Sequence, residues 1–121
     1  MQVPILKQGD VLIASVQAAL TDKDLMQLKD DLAERVGKFR SAGVIIDVSA
    51  LDVLDSFATR TLRGIAQTTK LRGAETVIVG VQPEVAMAMV QLGLTLDDVS
   101  TALDLEEGFE LINIRKAEAR A

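Results

Sequence analysis

The chain contains neither cysteine nor histidine in its 121 residues. That excludes disulfides, thiolate chemistry, zinc held by its usual ligands and a Ser-His-Asp triad from the chain alone. With no imidazole, any general base would have to be a carboxylate or a lysine. Aromatic residues are almost absent too: Phe39, Phe57 and Phe109 are the three, so a core must be built from Val, Ile, Leu, Ala and Met. Apolar runs reach only about six residues, far short of the roughly 20 that a membrane-spanning helix needs. There is no Gly-x-x-x-x-Gly-Lys-Ser/Thr loop for a nucleotide and no Gly-x-Gly-x-x-Gly. The opening Met1-Gln2-Val3-Pro4 runs straight into a short strand pattern, without the charged-then-apolar leader of a signal peptide. A cytoplasmic location is therefore expected.

What is present is aliphatic and acidic. Hydrophobic residues make up 49% of the chain, and the formal net charge is -5. The length fits one domain, spanning 1–121, that buries roughly two-thirds of its unfolded surface. So much aliphatic surface on a small domain points to partners covering part of it. The negative charge disfavours nucleic acid and favours a basic protein partner.

Pro4 to Lys7 and Val11 to Val16 read as two strands split by Gln8-Gly9-Asp10, a hairpin turn. Thr21, with Asp24 three residues on, suits the start of a helix. Leu25, Leu28, Leu32, Val36 and Phe39 share one face of that helix, and Ser41-Ala42-Gly43 is expected to end it. Gly43 to Val48 and Thr76 to Val81 are short β-branched runs that fit strands buried on both faces. Between them a helix over 56–71, with Ala58, Leu62, Ile65 and Thr69 facing inward, completes a βαβ unit with parallel strands.

Pro83 opens a further helix with Val85, Met89 and Leu92 as its inner stripe and Gly93 as its stop. An edge strand near Val99 to Leu103 precedes a last helix. That helix starts at Asp104 with Glu107 completing a capping box, and Leu105, Phe109 and Ile112 pack it down. Lys116 to Ala121 reads as a frayed tail. The fold class is α/β: a mixed sheet with about four helices packed against it.

The stretch from Asp47 to Phe57 carries the functional signal. It starts as the end of a buried strand and finishes as the start of an amphipathic helix, placing Ser56 on an acidic loop beside Asp47, Asp52 and Asp55. In the plainest reading Asp47 ends a strand, Asp52 sits in a turn, and Asp55 or Ser56 caps a helix. A second reading is a magnesium site of the phospho-acceptor aspartate kind. Such a site wants carboxylates and a Lys at several strand ends, and Val81-Gln82-Pro83 offers none. A third reading is a phosphorylation switch at Ser56. A phosphate adds about -1.5 to -2 charges, which a helix N-terminus favours and neighbouring carboxylates oppose. The fold would tolerate that charge while an interface over the loop would not.

Gly43-Val44-Ile45-Ile46-Asp47, followed by Asp55-Ser56-Phe57-Ala58-Thr59-Arg60-Thr61-Leu62, resembles the STAS domain of anti-sigma-factor antagonists. More narrowly it resembles the RsbS-type short antagonist subunits of the bacterial stressosome. Pro4-Ile5-Leu6-Lys7, the stretch from Gly80 to Ala86 and the stretch from Thr101 to Glu106 extend the resemblance over nearly the whole chain. It implies a STAS-like fold and a non-catalytic signalling subunit without cofactor or metal.

Ser56 would be phosphorylated by a serine/threonine kinase of the RsbT type. The kinase would be held captive in a large homo- and hetero-oligomeric assembly with RsbR-type STAS co-antagonists, and phosphorylation would release it to regulate the general stress response. An RsbX-type phosphatase would reset the serine. Asp47, Asp55, Phe57, Thr59 and Arg60 would line the kinase-facing surface, and neither nucleic acid nor membrane is expected as a partner. Sporulation-type antagonists carry a second Ser and a Gly after Asp-Ser, where this chain has Phe57 and Ala58, a departure that fits the stressosome subfamily better. The lack of an N-terminal sensor segment is expected to mark an S-type subunit as against an R-type one. The alternatives are a receiver-like phospho-aspartate or metal domain using Asp47 or Asp55, and a purely structural STAS subunit whose Ser56 only caps a helix.

Overall fold

The computed structural model describes residues 3–17, 20–96 and 99–120. Strand β1 (Ile5–Gln8) turns at Gly9-Asp10 into β2 (Val11–Ser15), and the two pair antiparallel with Gln8 opposite Val11. From β2 onward every pairing is parallel. Strands β3 (Gly43–Asp47), β4 (Glu75–Val79) and β5 (Ser100–Ala102) follow in sequence order across one five-stranded sheet. Helices α1 (Asp22–Phe39), α2 (Ser56–Leu71), α3 (Pro83–Gln91) and α4 (Leu105–Arg120) alternate with them. The fold is the expected α/β arrangement of a mixed sheet and four helices.

Strand periodicity splits the core into two layers. Leu12, Ala14, Val44, Ile46 and Ile78 point to the face covered by α1, α2 and α3, where Leu28, Leu32, Val36, Leu62, Ile65, Val85 and Met89 meet them. Val11, Ile13, Ile45, Val77 and Val79 point to the other face and pack on Ile112 of α4. The β-branched runs of β3 and β4 are thus buried from both sides, as strands in a parallel sheet must be. Thr69 and Thr76, both buried, share a 2.7 Å hydrogen bond, and Thr69 Oγ1 also donates to Ile65 O. Among the described residues no helix is long and apolar enough to cross a membrane.

Helix α1 starts as its sequence predicts. Thr21 Oγ1 accepts from Asp24 N at 3.1 Å, and Asp24 accepts from Thr21 N at 3.0 Å. The latter bond helps hold the Asp24 carboxyl below its ordinary value. Its other end differs from expectation: Arg40, in the left-handed region at φ 51°, is the C-cap, while Gly43 is already the first residue of β3.

Phe39 is not core. It is 40% exposed, with the Lys7 and Lys38 ammonium groups over its ring at 5.7 and 5.5 Å. Ala58 is only half-buried, and Thr59 takes an inward position on α2. Leu92 is the C-cap of α3 and 72% exposed, because α3 ends before its stripe completes another turn. Strand β4 stops at Val79, where Gly80 turns the chain at φ 81°.

In α4, Ile112 is buried and Phe109 half-buried, but Leu105 remains 39% exposed. Glu107 N bonds to Asp104 Oδ1, and the return bond of Glu107 reaches Leu103 N. The expected frayed tail is helical to Arg120, and Lys116 Nζ meets Asp10 Oδ2 at 2.6 Å. Ala121, and Met1 and Gln2 of the opening, lie outside the described residues.

Candidate phosphorylation and docking site

Each parallel strand hands the chain to a helix, so the four helix N-termini gather at the carboxyl edge of the sheet. At the centre of that edge β3 ends in Asp47, whose Oδ1 accepts from Ser49 N at 2.9 Å and turns the chain outward. The loop is tied down at several points. Val48 N donates to Val79 O at 3.0 Å, and Gln82 Nε2 reaches across from the start of α3 to Ser49 O at 2.8 Å. Val48 and Leu54 are buried in the main core. Gly80 makes room for this crossing: a Cβ there would lie 2.9 Å from the Ser49 Cβ and 3.2 Å from Asp47 Oδ1.

The loop then delivers Asp55 as the N-cap of α2, with extended backbone at φ -78° and ψ 178°. Asp55 Oδ1 accepts from Ala58 N at 2.7 Å, the bond that orients the first turn. Ser56 follows as the first helical residue and is exposed. Its hydroxyl has no hydrogen-bond partner among the described residues. The structure thereby decides between the two capping candidates: the carboxylate caps, and the hydroxyl projects.

The other expected surface residues divide. Arg60 is exposed one turn after Ser56, and Asp47 and Phe57 are half-buried, Phe57 resting on the main core. Thr59 is a correction. It is 1% exposed and its Oγ1 donates to Asp55 O at 2.9 Å, so it supports the first turn from inside and takes no part in the surface. Thr61 is likewise turned onto the helix, donating to Phe57 O at 2.9 Å.

The three acids of the loop are not drawn together. Asp47 is engaged by Ser49 N, Asp55 by Ala58 N, and Asp52 has only a long contact of 3.5 Å from Gln82 Nε2. Among the described residues no group of three or more acids is close enough to hold a metal ion. Gln82 is the residue that the sequence did not disclose. A glutamine before Pro83 looks like any loop residue, and nothing local marks its partner 33 positions away.

This five-stranded sheet, with a serine starting the helix after its central strand, is an arrangement found in known proteins. Residues 2–108 match the STAS domain, and the chain belongs to that family. Among solved structures it is similar to a serine-to-glutamate variant of RsbS from Moorella thermoacetica. The identity is 34%, all of both chains is covered, and the TM-score is 0.80. It is also similar to a chain from the molecular architecture of the stressosome, a signal integration and transduction hub. There the identity is 36% over 98% of this chain and 100% of that one, with a TM-score of 0.77. A curated relative is the RsbT co-antagonist protein RsbRA of Bacillus subtilis, 30% identical over 84 residues, which are 69% of this chain and 31% of RsbRA. This chain thus spans between a quarter and a third of the length of the co-antagonists it matches.

Proposed function

We propose that this chain is a non-catalytic phospho-switch and scaffold subunit of a bacterial stressosome. In the cytoplasm it assembles with RsbR-type co-antagonists and holds an RsbT-type serine/threonine kinase. It releases the kinase when Ser56 is phosphorylated, which feeds the general stress response. The kinase transfers the γ-phosphoryl group of its ATP: the Ser56 Oγ–P bond forms, ADP leaves, and the hydroxyl proton passes to a base on the kinase. An RsbX-type phosphatase hydrolyses the phosphate and resets the site.

The observation that carries this reading is the division of labour between Asp55 and Ser56. A serine that capped its helix would lose that bond on modification. Here the carboxylate keeps the cap, and the hydroxyl is exposed and unengaged. A phosphate on it meets the free N–H groups of a helix N-terminus, so the fold accepts the charge. Asp52 and Asp55 make the same charge costly to dehydrate under a partner. The similarity to an RsbS in which glutamate replaces a serine supports the reading, since that change sets a negative charge where a hydroxyl stood. Asp47, Asp55, Phe57 and Arg60 form the kinase-facing surface around Ser56. The capping role that the purely structural reading gives to Ser56 is taken by Asp55.

The test is phosphorylation by the RsbT-type kinase of the same cells with labelled ATP. Wild type takes up label, and Ser56→Ala does not. Equal labelling of Ser56→Ala would show the site to be elsewhere, and hydroxylamine-labile label would move it to an aspartate.

A further inference from the structure

Beside Ser56 the surface changes character. Val53 in the loop and Leu92 at the end of α3, each 72% exposed, line one cleft between the two elements. With Val85, Ala88 and Leu94 they line a groove of about 400 Å³, and the polar part of its lining is Asp52, Asp55 and Ser56. The switch serine therefore stands at the edge of an apolar slot whose mouth carries two carboxylates.

We propose that this groove is the docking slot for the kinase, and that it receives an apolar side chain flanked by a lysine or arginine. The inference rests on the reading of Ser56 as the switch and extends it to how the switch releases. Aliphatic walls recognise only an apolar group. The carboxylates at the mouth favour a cation beside that group and repel an acidic one.

Asp52 and Asp55 already supply the countercharge for that cation. A phosphate on Ser56 then adds about -1.5 to -2 charges, more than the one docked cation balances, and the helix N–H groups that accept it hold it and its water at the slot. The docked side chain would also strip water from the phosphate, which resists dehydration. Phosphorylation thus empties the slot without unfolding its walls. The slot is lined by the loop before α2 and by α3, so the docked kinase bridges two elements of the domain.

The experiment titrates the full chain with the RsbT-type kinase of the same cells and reads the dissociation constant. Leu92→Ser removes an exposed wall of the slot, and Ala88→Gln fills it from an exposed helical position; neither side chain belongs to the core. Each variant is expected to weaken binding by about tenfold or more. Leu92→Met, which keeps an apolar wall, is expected to bind like wild type. So is Met26→Ser, which removes another exposed apolar side chain, 56% exposed on α1 and outside the groove.

If wild type binds, Ser56→Asp is released, and Leu92→Ser and Ala88→Gln both bind like wild type, the docking slot is overturned while the switch stands. If wild type fails to bind, or Ser56→Asp binds as tightly as wild type, the switch reading falls and the slot with it.

Discussion

Asp55 and Ser56 are both favoured at a helix N-cap, and the sequence leaves their order of duty open because helix starts are ambiguous by a residue. The side-chain bond from Ala58 N to Asp55 resolves it. Asp55→Ala should therefore cost about 0.5–2 kcal/mol of stability, and Ser56→Ala should stay within about 0.5 kcal/mol of wild type. Urea denaturation of the two variants reads both. A large loss in Ser56→Ala would return the serine to a capping role. The joint itself was legible, since an apolar strand ran into Asp-Ser and an amphipathic helix. What was not legible is that Thr59, one turn on, faces inward and bonds to Asp55 O. A threonine at that spacing reads equally well as surface or as support.

Among the elements, α4 departs furthest from its sequence pattern. Its only fully buried side chain is Ile112, yet the helix runs unbroken to Arg120. Two close approaches seat it. Gly108 faces Val79 and Ile45, and Gly43 of β3 lies under Ile112, where an added Cβ would come within 2.5 Å of Ile112 Cδ1. Gly43→Ala should destabilise the domain by about 1–3 kcal/mol through overpacking, measured by thermal or urea unfolding. A neutral result would mean that α4 is free to shift on the sheet.

The tail read as frayed because its anchor, Asp10, is 106 positions away, and periodicity cannot see such a pair. Lys116, by hydrogen bond and by charge, holds the Asp10 carboxyl below its ordinary 3.8. A lowered folded value means that the stabilisation is complete above 3.8 and lost as pH falls below it through the folded value. Both partners are partly exposed, at 29% and 45%, so the pair is worth less than about 1 kcal/mol. Asp10→Asn should show a small deficit at neutral pH that closes in acid. A deficit constant down to pH ~2 would assign the effect to packing instead.

Across the whole molecule, parallel strands followed by helices place every helix N-terminus at one end of the sheet. Charge follows that polarity. Asp22, Asp24, Glu84, Glu106 and Glu107 stand in first turns, and Lys38, Lys70 and Arg120 in last turns. Each sign complements the nearer end of a helix dipole. The result is an acidic end around Ser56 and a more basic end opposite.

The α/β class, the hairpin and the βαβ unit were legible because long periodic runs and turn residues agree on them. The exposed positions of Phe39 and Leu92 were not, since a helix stripe shows which residues share a face but not where the face stops being covered. The acidic end predicts that kinase capture slows as ionic strength rises from about 0.05 to about 0.5 M. Stopped-flow association rates would read it, and a rate independent of salt would remove electrostatics from the encounter.

The most direct measurement of the central claim is the phosphate occupancy of Ser56 in cells, mapped by tandem mass spectrometry on the protein isolated before and after stress. The account predicts phosphoserine at Ser56 that rises with stress. A fully covered Ser56 peptide that stays unmodified under every stress would contradict it.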